Sequence, residues 1–222
     1  SRINMNVIFG ASGFAKQVFL IYRRVNKANK NFADEIDYFV VEDKDIDSGA
    51  TLHGIPIIGE SSFFSQFENI ELTAFIAIGS PTIRKDIVEK ISKWNPKVYF
   101  PSLIDPNVIM DEKPETIKIG KGVVICAGSI LETDVEIGDF SHINLHCTLA
   151  HDVHVSSFST ISPRTCVAGN VRLGSGVFCG MGTLIIDGLT IADNSFLGAG
   201  TVVIKDITEA GTYIGAPARK IK

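Results

Sequence analysis

Every sixth residue from Ile119 to Val203 is apolar: fifteen consecutive positions, fourteen of them Ile, Leu or Val and the other Cys179. A period of six matches neither the 3.6 of an amphipathic helix nor the 2 of a half-buried strand. A fixed short repeat marks a solenoid, in which successive units stack to bury one continuous core. Positions two residues earlier (Ile117, Val123, Ser129 and onward) form a second register, and residues i and i−2 share one side of a strand. Taken in threes, this register always runs from an aliphatic residue to a small one, so the natural coil is three hexads, or eighteen residues. Gly120, Gly138, Gly174, Gly180, Gly198, Ala150, Ala168 and Ala192 follow apolar positions. They are expected to turn the chain between short strands through positive φ. The fifteen hexads predict a triangular, parallel β-helix of five coils without an inserted loop.

Upstream the ladder stops at Ile117 and the pattern becomes α/β. Met5–Phe9 reads as a strand, Gly10-Ala11-Ser12-Gly13 as a turn and residues 14–25 as a helix. Residues 36–41 read as a second strand ending at Glu42-Asp43, and Pro56–Gly59 as an extended piece before a helix over 61–67. Residues 74–78 read as a buried strand and 83–93 as an amphipathic helix, with Val98–Phe100 and Leu103-Ile104 closing the domain. Alternating strands and helices predict a small parallel sheet, a Rossmann-like half-domain. The chain therefore divides into residues 1–105 and 106–222, with 105–114 as linker.

Ligands of such sheets bind beyond the carboxyl ends of the strands. Three loops are expected there: Gly10–Gly13, Glu42-Asp43, and Gly79-Ser80 with Arg84 one turn into its helix. The first places backbone N–H groups and a helix N-terminus where a phosphate could sit. It lacks the full GxGxxG fingerprint of a dinucleotide fold. The acids suit sugar hydroxyls and equally suit a solvated turn. Net charge −4 gives no footprint for nucleic acid, and no stretch is apolar enough for a membrane span. Cys126, Cys147, Cys166 and Cys179 form no CxxC pair, which suits a reduced, cytoplasmic protein.

Four of the five histidines (142, 146, 151 and 154) fall within thirteen residues, each expected at an outward or turn position. His151-Asp152 is a candidate general base with a carboxylate to orient it. His142 and His154 are read as solvated side chains without a chemical task. The spacing His146-x4-His151 is similar to the His pair of γ-class carbonic anhydrases. A zinc site there needs a third His near Met110, where none occurs, and two ligands leave zinc incomplete; no metal is expected.

Together these pieces resemble the PglD/NeuD-type sugar acyltransferases, over nearly the whole chain. The most specific are Phe75–Gly79 with Ile83-Arg84, His151-Asp152, Cys166–Val171 with Gly174, and Gly211–Arg219. The resemblance implies a left-handed β-helix and acetyl transfer from acetyl-CoA to the 4-amino group of a nucleotide-linked, UDP-type amino sugar, for bacterial surface glycan or glycoprotein synthesis. It implies His151 as base, Asp152 as its orienting acid and Asn144 near the acceptor. It places Ser12, Gly13, Phe14, Glu42, Asp43, Gly79 and Arg84 at the nucleotide sugar, and Thr160, Gly169, Met181, Ala199, Pro217 and Arg219 along coenzyme A. Gly169 is the candidate oxyanion donor, because a residue without Cβ lets its N–H approach the thioester. Family members are trimers with sites between neighbouring prisms. Two departures stand out: Phe14-Ala15 follows Gly13 where many members have Gly-His-Gly, and Thr160 replaces a His found in some. Related sialic-acid O-acetyltransferases share the architecture, so an alcohol acceptor is the alternative reaction; a non-catalytic sugar-nucleotide scaffold is another reading.

Overall fold

A computed structural model describes residues 4–29, 35–47, 49–113 and 115–222. Residues 1–3 and Pro114 of the expected linker lie outside them. The chain separates into two compact units, one of residues up to 79 and 83–101, the other of residues 80–82 and 102–222.

The first unit is built on β1 (Asn4–Phe9), α1 (Gly13–Asn29), β2 (Tyr38–Val41), β3 (Thr51–Leu52), β4 (Ile55–Gly59), α2 (Glu60–Gln66), β5 (Glu71–Ile76) and α3 (Pro81–Trp94). Its sheet runs β3-β4-β2-β1-β5, with every pairing parallel except the β3–β4 hairpin. Val7, Ile8 and Phe9 of β1, an interior strand, are buried without alternation, as expected of a parallel strand covered on both faces. The β3 hairpin escapes a periodicity reading because its strand is only two residues long. Gly10 ends β1 at φ +115°, and a Cβ there would come within 2.6 Å of the Ala77 carbonyl oxygen. Only glycine lets these two strand ends approach so closely.

The second unit is a three-faced parallel β-helix. The first face stacks Ile117–Ile119, Val135–Ile137, His154–Val155, Arg172–Leu173 and Thr190–Ile191. The second stacks Val124–Ile125, His142–Ile143, Thr160–Ile161, Phe178–Cys179, Phe196–Leu197 and Thr212–Ile214. The third stacks Ile130–Leu131, Thr148–Leu149, Cys166–Val167, Leu184–Ile185 and Val202–Val203. Both inward registers line one continuous core. Hydroxyls in the small register are bonded inside it: Ser129 Oγ donates to the Asn144 carbonyl at 2.7 Å and Ser159 Oγ to that of Gly174 at 2.9 Å.

Two expectations are corrected here. Leu103-Ile104 (β6) does not close the first unit; it pairs with Val124-Ile125 and starts the second face. The expected linker contributes as well, because Ile109 bridges to Ile130 on the third face. These pairings are offset by 21 residues, whereas later coils are offset by 18. Three extra residues before Ile117 throw the ladder out of phase.

The second correction concerns the corners. Positive φ occurs at the third residue after each ladder position from Ile119 to Leu197, as at His146 (53°), Asp152 (60°) and Asn170 (57°), and not at the first. The first position is small for another reason: a Cβ on Gly138 or Gly180 would lie 2.6 Å from a backbone nitrogen of the next coil.

Outward columns differ in character. On the first face Lys118 pairs with Glu136 at 2.5 Å, and His154 Nδ1 lies 3.2 Å from the same carboxylate. The third face presents Ile130, Thr148, Cys166, Leu184 and Val202, with no charge among them.

Candidate active site

His151 and Asp152 sit on the corner between the third and first faces, about half exposed at 52% and 54% of their side-chain surface. Asp152 occupies the positive-φ slot, which a short polar side chain tolerates. Its Oδ2 lies 2.9 Å from His151 Nδ1. A carboxylate only accepts, so Nδ1 carries the proton and Nε2 is left with its lone pair. The Asp152 hydrogen bond leads in holding the imidazole above its ordinary 6.5, with the charges of Asp152 and Glu132 adding and partial desolvation opposing.

One coil on, Gly169 lies against this ring. A Cβ there would sit 2.5 Å from both Cε1 and Nε2 of His151, so glycine is what admits the imidazole. Its backbone N–H donates to no group among the described residues. The corner thus brings together an imidazole with an open Nε2, a carboxylate hydrogen-bonded to its other nitrogen, and an open backbone N–H.

Other expected residues lie elsewhere on the prism. Asn144 is on the corner between the second and third faces, where its Oδ1 accepts the Leu145 N–H at 2.8 Å. His146 shares that corner, with its ring against Gly128, so within one chain His146 and His151 face different edges. Among the described residues no group of three His, Cys, Asp or Glu is arranged to hold a metal ion. Met181, which is exposed, and Ala199 are one coil apart on the Asn144 corner, whereas Thr160 is buried on the second face. Pro217 follows a cis peptide, and Arg219 lies in the final antiparallel strand, Arg219–Lys220. His142 is corrected: it points away from the core axis yet is only 2% exposed. His154 is engaged with Glu136.

In the first unit, the loops after β1, β2 and β5 emerge side by side from adjacent strands. Ser12 and Gly13 are exposed at the start of α1, and Phe14 is half-buried. Two residues of the expected binding set have structural work. Arg84 is 0% exposed, and its Nη1 donates to the carbonyls of Ile78 at 2.7 Å and Gly79 at 3.3 Å. Burial pushes its guanidinium down to about 9. Arg84 therefore shapes the Gly79 loop from within and does not present its charge to a ligand. Asp43 accepts both the N–H (3.1 Å) and the hydroxyl of Ser61 in the first turn of α2. Those bonds hold its carboxyl below the usual range. Glu42, exposed like its neighbours in that loop, is paired with Lys44 at 2.7 Å.

Glu132 was not foreseen. Its Oε2 accepts the His151 N–H at 3.1 Å from the coil below. Reading the corner vertically, with 132, 150 and 168 in one column, would have placed it beside the histidine.

Residues 7–91 match the PglD N-terminal domain family. Over 98% of the chain, and 97% of the other, the fold is that of a histidine-to-asparagine mutant of perosamine N-acetyltransferase from Caulobacter crescentus, in complex with CoA and GDP-perosamine (TM-score 0.84, 25% identity). WeeI from Acinetobacter baumannii AYE matches with a TM-score of 0.70 at 26% identity over 98% of this chain and 100% of that one. The acetyltransferase domain of PglB from Neisseria gonorrhoeae FA1090 shares the fold at 24% identity, TM-score 0.82, covering 98% of this chain and 99% of the other. These likenesses define the class: an acyltransferase built on a hexapeptide-repeat, left-handed β-helix with a Rossmann-like N-terminal part. Within it, the chain is similar to the PglD-type sugar acyltransferases, whose N-terminal domain family its residues 7–91 match.

Proposed function

We propose that the protein transfers the acetyl group of acetyl-CoA to the 4-amino group of a nucleotide-linked amino-deoxy sugar, with His151 as general base. The observation that carries this reading is the His151 corner: Nδ1 is committed to Asp152, and Nε2 faces the space over Gly169. The amine nitrogen attacks the thioester carbonyl and His151 Nε2 takes its proton, while Asp152 stabilises the imidazolium. The Gly169 N–H is the donor available to the oxyanion. As the C–S bond breaks, the imidazolium returns its proton to the departing thiolate, giving the amide and free coenzyme A.

The loops after β1, β2 and β5 would hold the nucleotide sugar, through Ser12, Gly13, Phe14, Glu42 and Gly79. Asn144 would serve the acceptor. Thr160, Met181, Ala199, Pro217 and Arg219 would serve coenzyme A. Because Asn144 and His151 occupy different corners of one prism, a homotrimer that juxtaposes corners of neighbouring chains is part of the proposal. The uncharged third face suits such packing, and mass measurement in solution tests it. A cytoplasmic location and a product destined for bacterial surface glycan or glycoprotein complete the reading.

Thiol release from acetyl-CoA, measured with UDP- and GDP-linked amino sugars and their hydroxyl counterparts, tests the reaction class, the nucleotide and the acceptor atom together. Loss of a general base costs about 10²- to 10⁴-fold, so His151→Ala is expected to lose turnover on that scale. Near-wild-type turnover would remove His151 from the role.

A further inference from the structure

The middle residue of a prism corner has an N–H outside the strand ladders, and the chain satisfies several of these with a carboxylate from a neighbouring coil. At Lys121 and Ser175 the acceptor is the aspartate one coil on: Asp139 Oδ1 at 3.0 Å and Asp193 Oδ1 at 2.8 Å. The His151 corner cannot use that arrangement. The residue one coil on is Gly169, and the imidazole fills the space where its side chain would be. Here the carboxylate comes from the opposite direction, because the His151 N–H donates to Glu132 Oε2 at 3.1 Å.

We infer that Glu132 is a positioning residue for His151: accepting its backbone N–H from the coil below fixes the corner, so that the space above can be left to the ring and the Gly169 N–H. The inference rests on the reading of His151 as base. Asp152 faces the ring from its own coil and Glu132 from the coil below, where Asp134 follows. The coil above offers only Ala168, Gly169 and Asn170 at this corner. His154 and Arg172 line the depression beside Asp152 on the first face. Glu132 thus adds negative charge beside an imidazole already raised by Asp152.

The test uses the full-length protein with Glu132→Ala and Glu132→Gln. The His151 imidazole is titrated by NMR, and thiol release is followed against pH. Both variants are expected to lower the His151 midpoint and move the rising limb of the rate profile to lower pH. Glu132→Ala should also lower the rate plateau by about tenfold, the scale of one charge-assisted hydrogen bond. Glu132→Gln, whose amide oxygen still accepts the N–H, should recover much of that loss. An unmoved His151 midpoint in both variants, or equal plateau losses in both, overturns the inference. A moved midpoint together with an active His151→Ala would keep the Glu132–His151 clamp and discard the base assignment.

Discussion

Gly169→Ala separates two tasks given to one residue, because alanine keeps the backbone N–H and fills space that the imidazole occupies. The added methyl would lie 2.5 Å from His151 Cε1 and Nε2 and 3.1 Å from Nδ1. Carbon atoms in contact sit about 3.5–4.0 Å apart, so the ring must retreat by about 1 Å. Gly169 is not among the positive-φ residues, so alanine meets no backbone penalty there, and a half-exposed histidine can swing outward. Misplacing a reacting group by about 1 Å costs roughly 10²-fold in rate. Thiol release from acetyl-CoA at saturating acceptor should fall on that scale. The unfolding midpoint should stay within about 2 °C, as for other substitutions of under ~0.5 kcal/mol in a chain of this size. Turnover within about threefold of wild type would refute the idea that the glycine is there to admit the ring. A large fall in the melting temperature would show that the methyl disturbs the coil instead.

Three further outcomes are expected. Since the Asp152 bond and neighbouring charges hold His151 above 6.5, and a base works unprotonated, kcat/KM should rise with pH through a midpoint above that value. Asp152→Asn should move this limb to lower pH, and a limb that does not move would count against the pairing. Leu149 is fully buried in the prism core, so Leu149→Ala should cost about 3 kcal/mol, a fall in melting temperature of roughly 6–12 °C; a shift under about 2 °C would mean the coil collapses around the gap. Burial pushes the thiols of Cys126 and Cys147 up to about 12 and about 11, and raises Cys179 as well, while Cys166 is exposed. A thiol reagent should therefore leave Cys126, Cys147 and Cys179 unmodified until denaturation, as mass spectrometry of the labelled peptides would show; Cys166 should react rapidly in the dissociated chain, and its protection in the native protein would mark the third face as packed.

Much of the fold was legible because its driving force repeats. Each ladder residue from Ile125 to Val203 is buried, so periodicity and burial coincide wherever the phase is kept. Leu103 and Ile109 show the limit: both join the prism, but the three added residues hide them from any reading in steps of six. His151-Asp152 was legible as adjacent residues whose chemistry is local. Arg84 and Asp43 were not, since the same side chains that suit an anion or a sugar hydroxyl also suit loop carbonyls and a helix start. Only packing decides between those partners. Glu132 lies nineteen residues before His151, a distance that gains meaning once the coil length is known.

The last residues have a consequence beyond any contact with coenzyme A. A parallel solenoid ends in open strand edges, and such edges recruit further strands. Here Ala218 donates its N–H to the Val202 carbonyl, and the Val202 N–H is taken by Gly215. The chain then reverses so that Arg219–Lys220 runs antiparallel to Thr212–Ile214. The outermost strand of the second face therefore has the wrong direction for another coil and carries two cations. On that face the reversal opposes the addition of another parallel coil, and with it end-to-end growth into fibres.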